Sequence, residues 1–372
     1  MKKIRLSVLI IAAWMILPMT LWATEVTRNV VSDTNTDSDT STEVCFVDGL
    51  GVNTYDVEPT DELPPGWNSD PDFDGGDLEW RTASLITPEN RPGAWLNPLD
   101  TSPFVQTKAK WISINLDGMG PDATQIDGIR GVYLYRKTFK VSPMAYNVSG
   151  EVAIASDNYG WLYLNGDEVL QPGDLSEHDW NFESPSTKFI LPKLWACDNV
   201  LAAEVQNGCG NCGGSSIIPN GPTGVIFSLT LNYELPDVVW EPPVSNLGSS
   251  GRKNGSTLPL KFRLYGEDGK LIKQPQQVYL AVHEGRFPVD ETEDLGDIVA
   301  EWNLGNSVRN MRFSKGNGQY IANFQTNKMN LNDGTYTAVV HDICSDEVLG
   351  YIEFDLAGKK KEKDPKPPKP KK

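Results

Sequence analysis

The sequence predicts an all-β protein: a larger jelly-roll β-sandwich followed by a smaller β-sandwich, between disordered ends. Three observations predict it. Short apolar runs rich in aromatic and β-branched residues recur between turn residues from Val44 to Leu356, with no helical periodicity. A Pro-, Gly-, Ser- and Asn-rich stretch over 235–255 divides these runs into a longer and a shorter set. Both ends are of another composition, Ser/Thr/Asp/Asn before the first run and Lys/Pro after the last.

The elements follow in chain order. Lys2, Lys3 and Arg5 precede an apolar run from Leu6 to Leu17, and Ala23 closes a processing site, so residues 1–23 read as a secretory signal peptide. Leu21 stands where a small residue is preferred, which leaves an uncleaved anchor as the competing reading. No second long apolar run follows, so no membrane span is expected after cleavage. Residues 24–43 read as a disordered linker, too poor in apolar side chains to fold.

In the first domain, 44–234, the segments Lys110–Asn115, Val132–Val141, Glu151–Ala155, Trp161–Leu164, Val200–Val205 and Val225–Leu231 read as strands. Asn165-Gly166 lies between Trp161–Leu164 and Glu168–Leu170. A two-residue hairpin turn needs positive φ at both positions, which that dipeptide supplies. Many short strands with such turns make a sandwich or jelly roll. Residues 235–255 read as an interdomain linker. The second domain, 256–356, has strands over Leu258–Tyr265, Val278–His283, Gly318–Phe324, Gly334–Val340 and Val348–Phe354, with an acidic loop at Asp290–Asp297. About 100 residues with roughly seven strands is the size of an immunoglobulin-like sandwich. The tail, 357–372, alternates Lys and Pro and should be extended. It could solubilise the chain or touch anionic wall polymers or lipid.

The formal net charge is −17, although both ends are basic, so the folded body is more acidic than the whole. Such a body repels phosphate backbones and excludes nucleic acid as a partner. Five Cys in an exported chain permit disulfides, and the odd count leaves a thiol or an intermolecular bond. Cys209-Gly-Asn-Cys212 reads as a loop disulfide rather than half a zinc site, having no second Cys pair and no His nearby. Cys45 is a freer partner for Cys197 than Cys209 is, because Cys197 and Cys209 flank opposite ends of a strand.

The first domain resembles the galactose-binding-like jelly roll of secreted bacterial proteins. The resemblance rests on Pro92-Gly-Ala-Trp95, Ala109–Ser113, Tyr133–Phe139, Ser156–Gly166, Leu194–Gln206 and Gly221-Pro-Thr-Gly224, in that order. It implies a sandwich whose end loops bind carbohydrate, with calcium as a structural ion. The second domain resembles a bacterial immunoglobulin-like module with a Pro-x-Lys-Phe motif, here Pro259-Leu-Lys-Phe262, followed by Gly318-Gln-Tyr-Ile and Asp333-Gly-Thr-Tyr336. Such modules act as spacers in surface proteins.

Candidate chemistry is sparse. Asp70-Pro-Asp72-Phe-Asp74-Gly75, with Asp77 beyond it, alternates carboxylates before a turn and could wrap Ca²⁺; a plain acidic turn is the competing reading. Arg81 stands where an EF-hand carries its bidentate Glu. Asp157, Asn158, Tyr159 and Trp161 lead into the hairpin, where amide and carboxylate could bond sugar hydroxyls and a ring could stack. Alternatively Trp161 and Tyr163, on one strand face, are core. Trp180 is a second stacking candidate in a loop, whereas Trp195 reads as core. Nucleophilic catalysis needs a base beside a nucleophile. The three histidines, His178, His283 and His341, come with no nucleophile elbow, and the latter two read as surface groups at strand ends. The resulting expectation is a secreted or surface protein, not an enzyme, that binds carbohydrate or another extracellular polymer. A structural or adhesive matrix component is the alternative, and a hydrolase or its accessory subunit the weaker third.

Overall fold

A computed structural model of the protein describes residues 24–32, 43–47, 65–73, 81–82, 84–85, 97–98, 100–113, 131–157, 159–170, 185–207, 224–246, 252–253, 255–288, 295–305, 310–329 and 331–357. The strands of the first sandwich are β1 (Thr24–Val31), β2 (Glu43–Val47), β3 (Arg81–Thr82), β4 (Ser84–Leu85), β5 (Ile112–Ser113), β6 (Gly131–Val141), β7 (Tyr146–Asp157), β8 (Tyr159–Leu164), β9 (Asp167–Leu170), β10 (Ser186–Ile190), β11 (Cys197–Asn207) and β12 (Gly224–Leu235), with one helical turn, α1 (Phe104–Thr107). They form two sheets. Sheet A has the order β10-β7-β12-β5-β4, with β1 also on β12; sheet B has the order β3-β2-β6-β11-β8-β9. Period-two alternation sends Val152, Ile154, Phe227, Leu229 and Leu231 of sheet A and Tyr133, Tyr135, Leu162, Leu164 and Leu201 of sheet B into one core.

The hairpin forms at Asn165-Gly166, with φ of 53° and 84°. Asn165 does more than turn the chain. Its Nδ2 donates to Asn199 Oδ1 at 2.8 Å and its Oδ1 accepts from Val200 N at 2.8 Å, stitching β8 to β11. Gly166 is required twice over, since a Cβ there would also lie 2.9 Å from Ser69 Cβ.

The second sandwich contains β13 (Asp237–Glu241), β14 (Arg252–Lys253), β15 (Thr257–Tyr265), β16 (Val278–Glu284), β17 (Ile298–Asn303), β18 (Arg312–Ser314), β19 (Gln319–Gln325), β20 (Gly334–Asp342) and β21 (Val348–Ala357). Sheet C has the order β13-β15-β19-β18 and sheet D the order β14-β21-β20-β16-β17. Leu258, Leu260, Phe262, Leu264, Tyr320, Ala322 and Phe324 of sheet C pack against sheet D.

Two expected linkers are corrected. Residues 24–31 are not a disordered linker: they form β1, paired with β12 from Thr24↔Leu235 to Val31↔Ser228. Val26 and Val30 reach the core while Glu25, Thr27 and Asn29 stay exposed. An edge strand needs only one apolar side, so a polar composition suffices. Nor is 235–255 a free linker. Only Pro236 separates β12 from β13, and β13 pairs with β15 from Asp237↔Tyr265 to Glu241↔Lys261, because Val238 and Trp240 pack against the core.

The sandwiches are joined by more than the chain. Cys197 is disulfide-bonded to Cys344 across the junction, a partner other than Cys45 or Cys209. Ser142 Oγ donates to the fully buried Asp342 carboxylate at 3.1 Å. Glu347 accepts from the Tyr233 hydroxyl and lies 3.8 Å from Arg28 of β1. The sequence places Cys197 and Cys344 147 residues apart, so only the fold reveals them as neighbours.

Candidate functional site

Of the predicted ligand residues around the hairpin, the two with described side chains, Trp161 and Asp157, are buried. Trp161 is 1 % exposed and clusters with Trp67, Val132, Leu134, Tyr163, Val200 and Ala202. Of the two readings, stacking platform or core, Trp161 and Tyr163 therefore take the core one. The reason is the turn at 65–73, which lays Trp67 edge-on against Tyr163, ring centres 5.6 Å apart, and so roofs the outer face of sheet B. Tyr163 donates to the buried carboxylate of Glu204 at 3.3 Å, and burial together with that carboxylate pushes its phenol above the ordinary value. Asp157 is buried at the end of β7, opposite Gly224. Tyr159 opens β8, and its side chain, like Asn158 and Trp180, lies outside the described residues.

The calcium motif is half visible. Asp70 Oδ1 accepts from Asp72 N at 2.9 Å, closing an Asp-initiated turn. The turn's carbonyls are already engaged by a cation. Arg136 Nη2 donates to Asp70 O at 2.8 Å and to Pro71 O at 3.4 Å, Nη1 donates to Phe73 O at 3.4 Å, and the guanidinium lies 5.4 Å from the centre of the Phe73 ring. Arg136 is buried, so a divalent ion on those same oxygens would meet a fixed positive charge. The buried guanidinium thus opposes a divalent ion on the turn's carbonyls, and no group of three or more metal-binding side chains occurs among the described residues. Asp74 and Asp77 lie outside them.

Three smaller expectations change. Trp195, read as core, is 39 % exposed, because Leu194 turns inward in its place. His283 and His341, read as surface groups, are buried on sheet D. Each engages a main-chain carbonyl through Nδ1, Gly296 O at 2.8 Å and Asp346 O at 3.2 Å. Burial holds the His341 imidazole below its ordinary pKa, against the opposing pull of Asp346.

The open surface lies on the other side of the sandwich. One end of sheet A's outer face is covered by α1 and Trp111, which bury Val31, Ala153, Ala155 and Ile226. Beyond that cover, register aligns Phe189 (β10) with Glu151 (β7), Glu151 with Thr230 (β12), and Thr230 with Asn29 (β1). The next row aligns Ser149, Asn232 and Thr27, and Leu191 continues the outward alternation of β10. Thr230 Oγ1 donates to Asn29 Oδ1 at 2.9 Å and Thr27 Oγ1 to Asn232 Oδ1 at 2.8 Å. These bonds fix both amides with their NH₂ groups as the remaining donors. Phe189 and Leu191 are 68 % and 80 % exposed, while their neighbours Ile190 and Leu194 pack against the core. These two rows, with aligned hydroxyls, carboxamides and one carboxylate, edged by an exposed ring and bordered by Glu25 and Glu234 in the following row, can bond a polyhydroxylated ligand and cover an apolar ring face. Sequence reasoning missed this face because two of its six polar side chains, Thr27 and Asn29, sit on the strand taken for a linker. The available signal was the period-two run Glu25-Val-Thr-Arg-Asn-Val30.

No protein-family model and no curated protein matches this chain. Among solved structures it is similar to a β-glucuronidase from Ruminococcus gnavus at 12% identity and TM-score 0.30, covering 89% of this chain and 44% of that one. It is also similar to the Bacteroides uniformis β-glucuronidase at 12% identity and TM-score 0.27, covering 90% and 32%, and to an uncultured Clostridium sp. β-glucuronidase at 10% identity and TM-score 0.27, covering 92% and 46%. The chain spans less than half the length of these proteins, and likeness at this level carries no argument about activity or substrate.

Proposed function

We propose that the chain is an exported, non-catalytic binding protein that recognises an extracellular carbohydrate polymer on the open face of sheet A. The observation that carries this is the aligned outer face itself: Thr27, Asn29, Glu151, Thr230 and Asn232 beside an exposed Phe189. Sugar recognition requires bonding groups held in fixed orientation and an apolar surface for the ring's C–H face, and both are present here. The immunoglobulin-like domain then acts as a spacer clamped to the jelly roll. The Cys197–Cys344 disulfide supports an oxidising, exported setting. Among the described residues no helix is long and apolar enough to cross a membrane.

The same clamp favours a second reading, a structural or adhesive surface component. A disulfide and the Glu347 and Asp342 bonds make the two sandwiches one stiff arm, which a load-bearing role would use without any small ligand.

Glycan-array binding of the processed chain, beside the Phe189→Ala variant, tests the first reading. Selective retention of a neutral polysaccharide that the variant loses by about ten-fold or more is the expected result. Absence of any glycan signal from the folded chain would leave the structural reading standing alone.

A further inference from the structure

The open face has a shape as well as a chemistry, and its shape names the class of glycan. The two rows run perpendicular to the strands. The first contains Phe189, Glu151, Thr230 and Asn29, one residue from each of β10, β7, β12 and β1. The second contains Ser149, Asn232 and Thr27, with Leu191 beyond the end of β10. Neighbouring strands lie about 4.8 Å apart, so four strands span about 14 Å. Rows two residues apart are separated by about 7 Å. The result is a straight track several sugar rings long and one ring wide. Its repeat, one polar side chain per strand, is comparable with the length of one pyranose ring in an extended, equatorially linked chain.

Charge selects further. The rows carry a single carboxylate, Glu151, and no cationic side chain, on a protein whose formal net charge is −17. An uncharged polymer complements that surface and a polyanion is repelled by it. The position of the apolar groups gives a polarity to the track. Phe189 and Leu191 lie at the β10 end, while the far end, on β1, offers the Asn29 amide beside Thr27.

Building on the carbohydrate reading, we propose that this face takes an internal stretch of three or four residues of an extended, neutral polysaccharide, laid across the strands with one ring over Phe189, rather than a terminal sugar. Each ring then meets the side chains of one strand. Affinity builds along the chain until the track is filled, and stops there.

Isothermal titration of the full processed chain with cello-, β-1,4-manno- and xylo-oligosaccharides of one to six units tests this. In one series the affinity should rise at least ten-fold from the disaccharide to the tetrasaccharide and level off beyond it. Phe189→Ala should weaken every length, whereas Asn29→Ala, on the fourth strand, should weaken only the tetrasaccharide and longer. A monosaccharide bound as tightly as the tetrasaccharide, an affinity still climbing at six units, or tighter binding of oligo-uronates would overturn the track while leaving carbohydrate recognition intact. No binding in any series, together with an empty array, removes the carbohydrate reading itself.

Discussion

The two outer faces of the jelly roll are built on the same alternation and end in opposite states. On sheet B most outward residues are apolar, Val132, Leu134, Trp161, Tyr163 and Val200, the buried charges of Arg136 and Glu204 being bonded to the turn and to Tyr163, and the turn at 65–73 lays Trp67 and Phe73 over them. On the far end of sheet A they are Thr27, Asn29, Ser149, Glu151, Thr230 and Asn232, and the face stays open. Side-chain chemistry decides which face recruits a cover. A face of rings and branched carbons lowers its free energy by about 25 cal/mol for each Å² it hides, whereas a face of amides and hydroxyls gains nothing by leaving water. The lesson for function is that an aromatic residue on a strand marks a ligand surface only when the rest of its face is polar. Trp161 fails that condition and Phe189, next to Glu151, meets it.

The largest effect should come from breaking the covered face. Trp161→Ala removes a fully buried indole from the cluster under Trp67 and should cost about 3–5 kcal/mol, read by denaturant unfolding followed through tryptophan fluorescence. A loss below about 1 kcal/mol would mean that the cover is not packed and that Trp161 is available to a ligand after all.

This contrast also shows what could be read in advance. The strand runs, the Asn165-Gly166 turn and the two-sandwich order were legible because apolar alternation and turn chemistry are local properties. Burial of Trp161 was one of two open readings, because Trp161 and Tyr163 on one strand face suit a core and a ligand surface alike, and the covering residue, Trp67, is distant in sequence. β1 was hidden for a different reason. Its composition, Thr-Glu-Val-Thr-Arg-Asn-Val-Val, is that of a solvated segment, and its order derives from backbone pairing to β12 and from Arg28 at Glu347. Composition averages over the two sides of a strand, and an edge strand with one open side looks like a linker when averaged. The candidate site inherits that blindness, because Thr27 and Asn29 belong to the misread strand.

An intermediate effect is expected at the hinge of the cover. Arg136 holds the turn through three carbonyls while it packs against Phe73. Arg136→Met keeps the packing and deletes the charged donors to the part-buried Pro71 and Phe73 carbonyls, while Asp70 O keeps its bond from Phe73 N, and should cost about 1–3 kcal/mol. Added Ca²⁺ should not restore it, because the Asp70 carboxylate already accepts from Asp72 N within the turn and, among the described residues, no group of three metal-binding side chains gathers there. A calcium-dependent rise in the melting temperature of this variant, removed by chelator, would show that Asp74 and Asp77 complete an ion site beside the guanidinium.

The smallest change in stability belongs to the open face, and there the smallness is the informative part. Phe189 is 68 % exposed on the edge strand β10, across from Glu151, and makes little contact that folding depends on. Phe189→Ala should therefore shift unfolding by no more than about 0.5 kcal/mol. The same holds for Asn29→Ala, whose lost partner is one solvent-exposed cross-strand bond from Thr230. A surface that folding does not need, yet exposes a large ring beside aligned amides, is where binding and stability separate. If Phe189→Ala instead lowers stability as Trp161→Ala does, the ring is packed in solution and the two faces are alike. If it leaves stability unchanged and removes glycan retention, the difference between the faces is the difference between a core and a site.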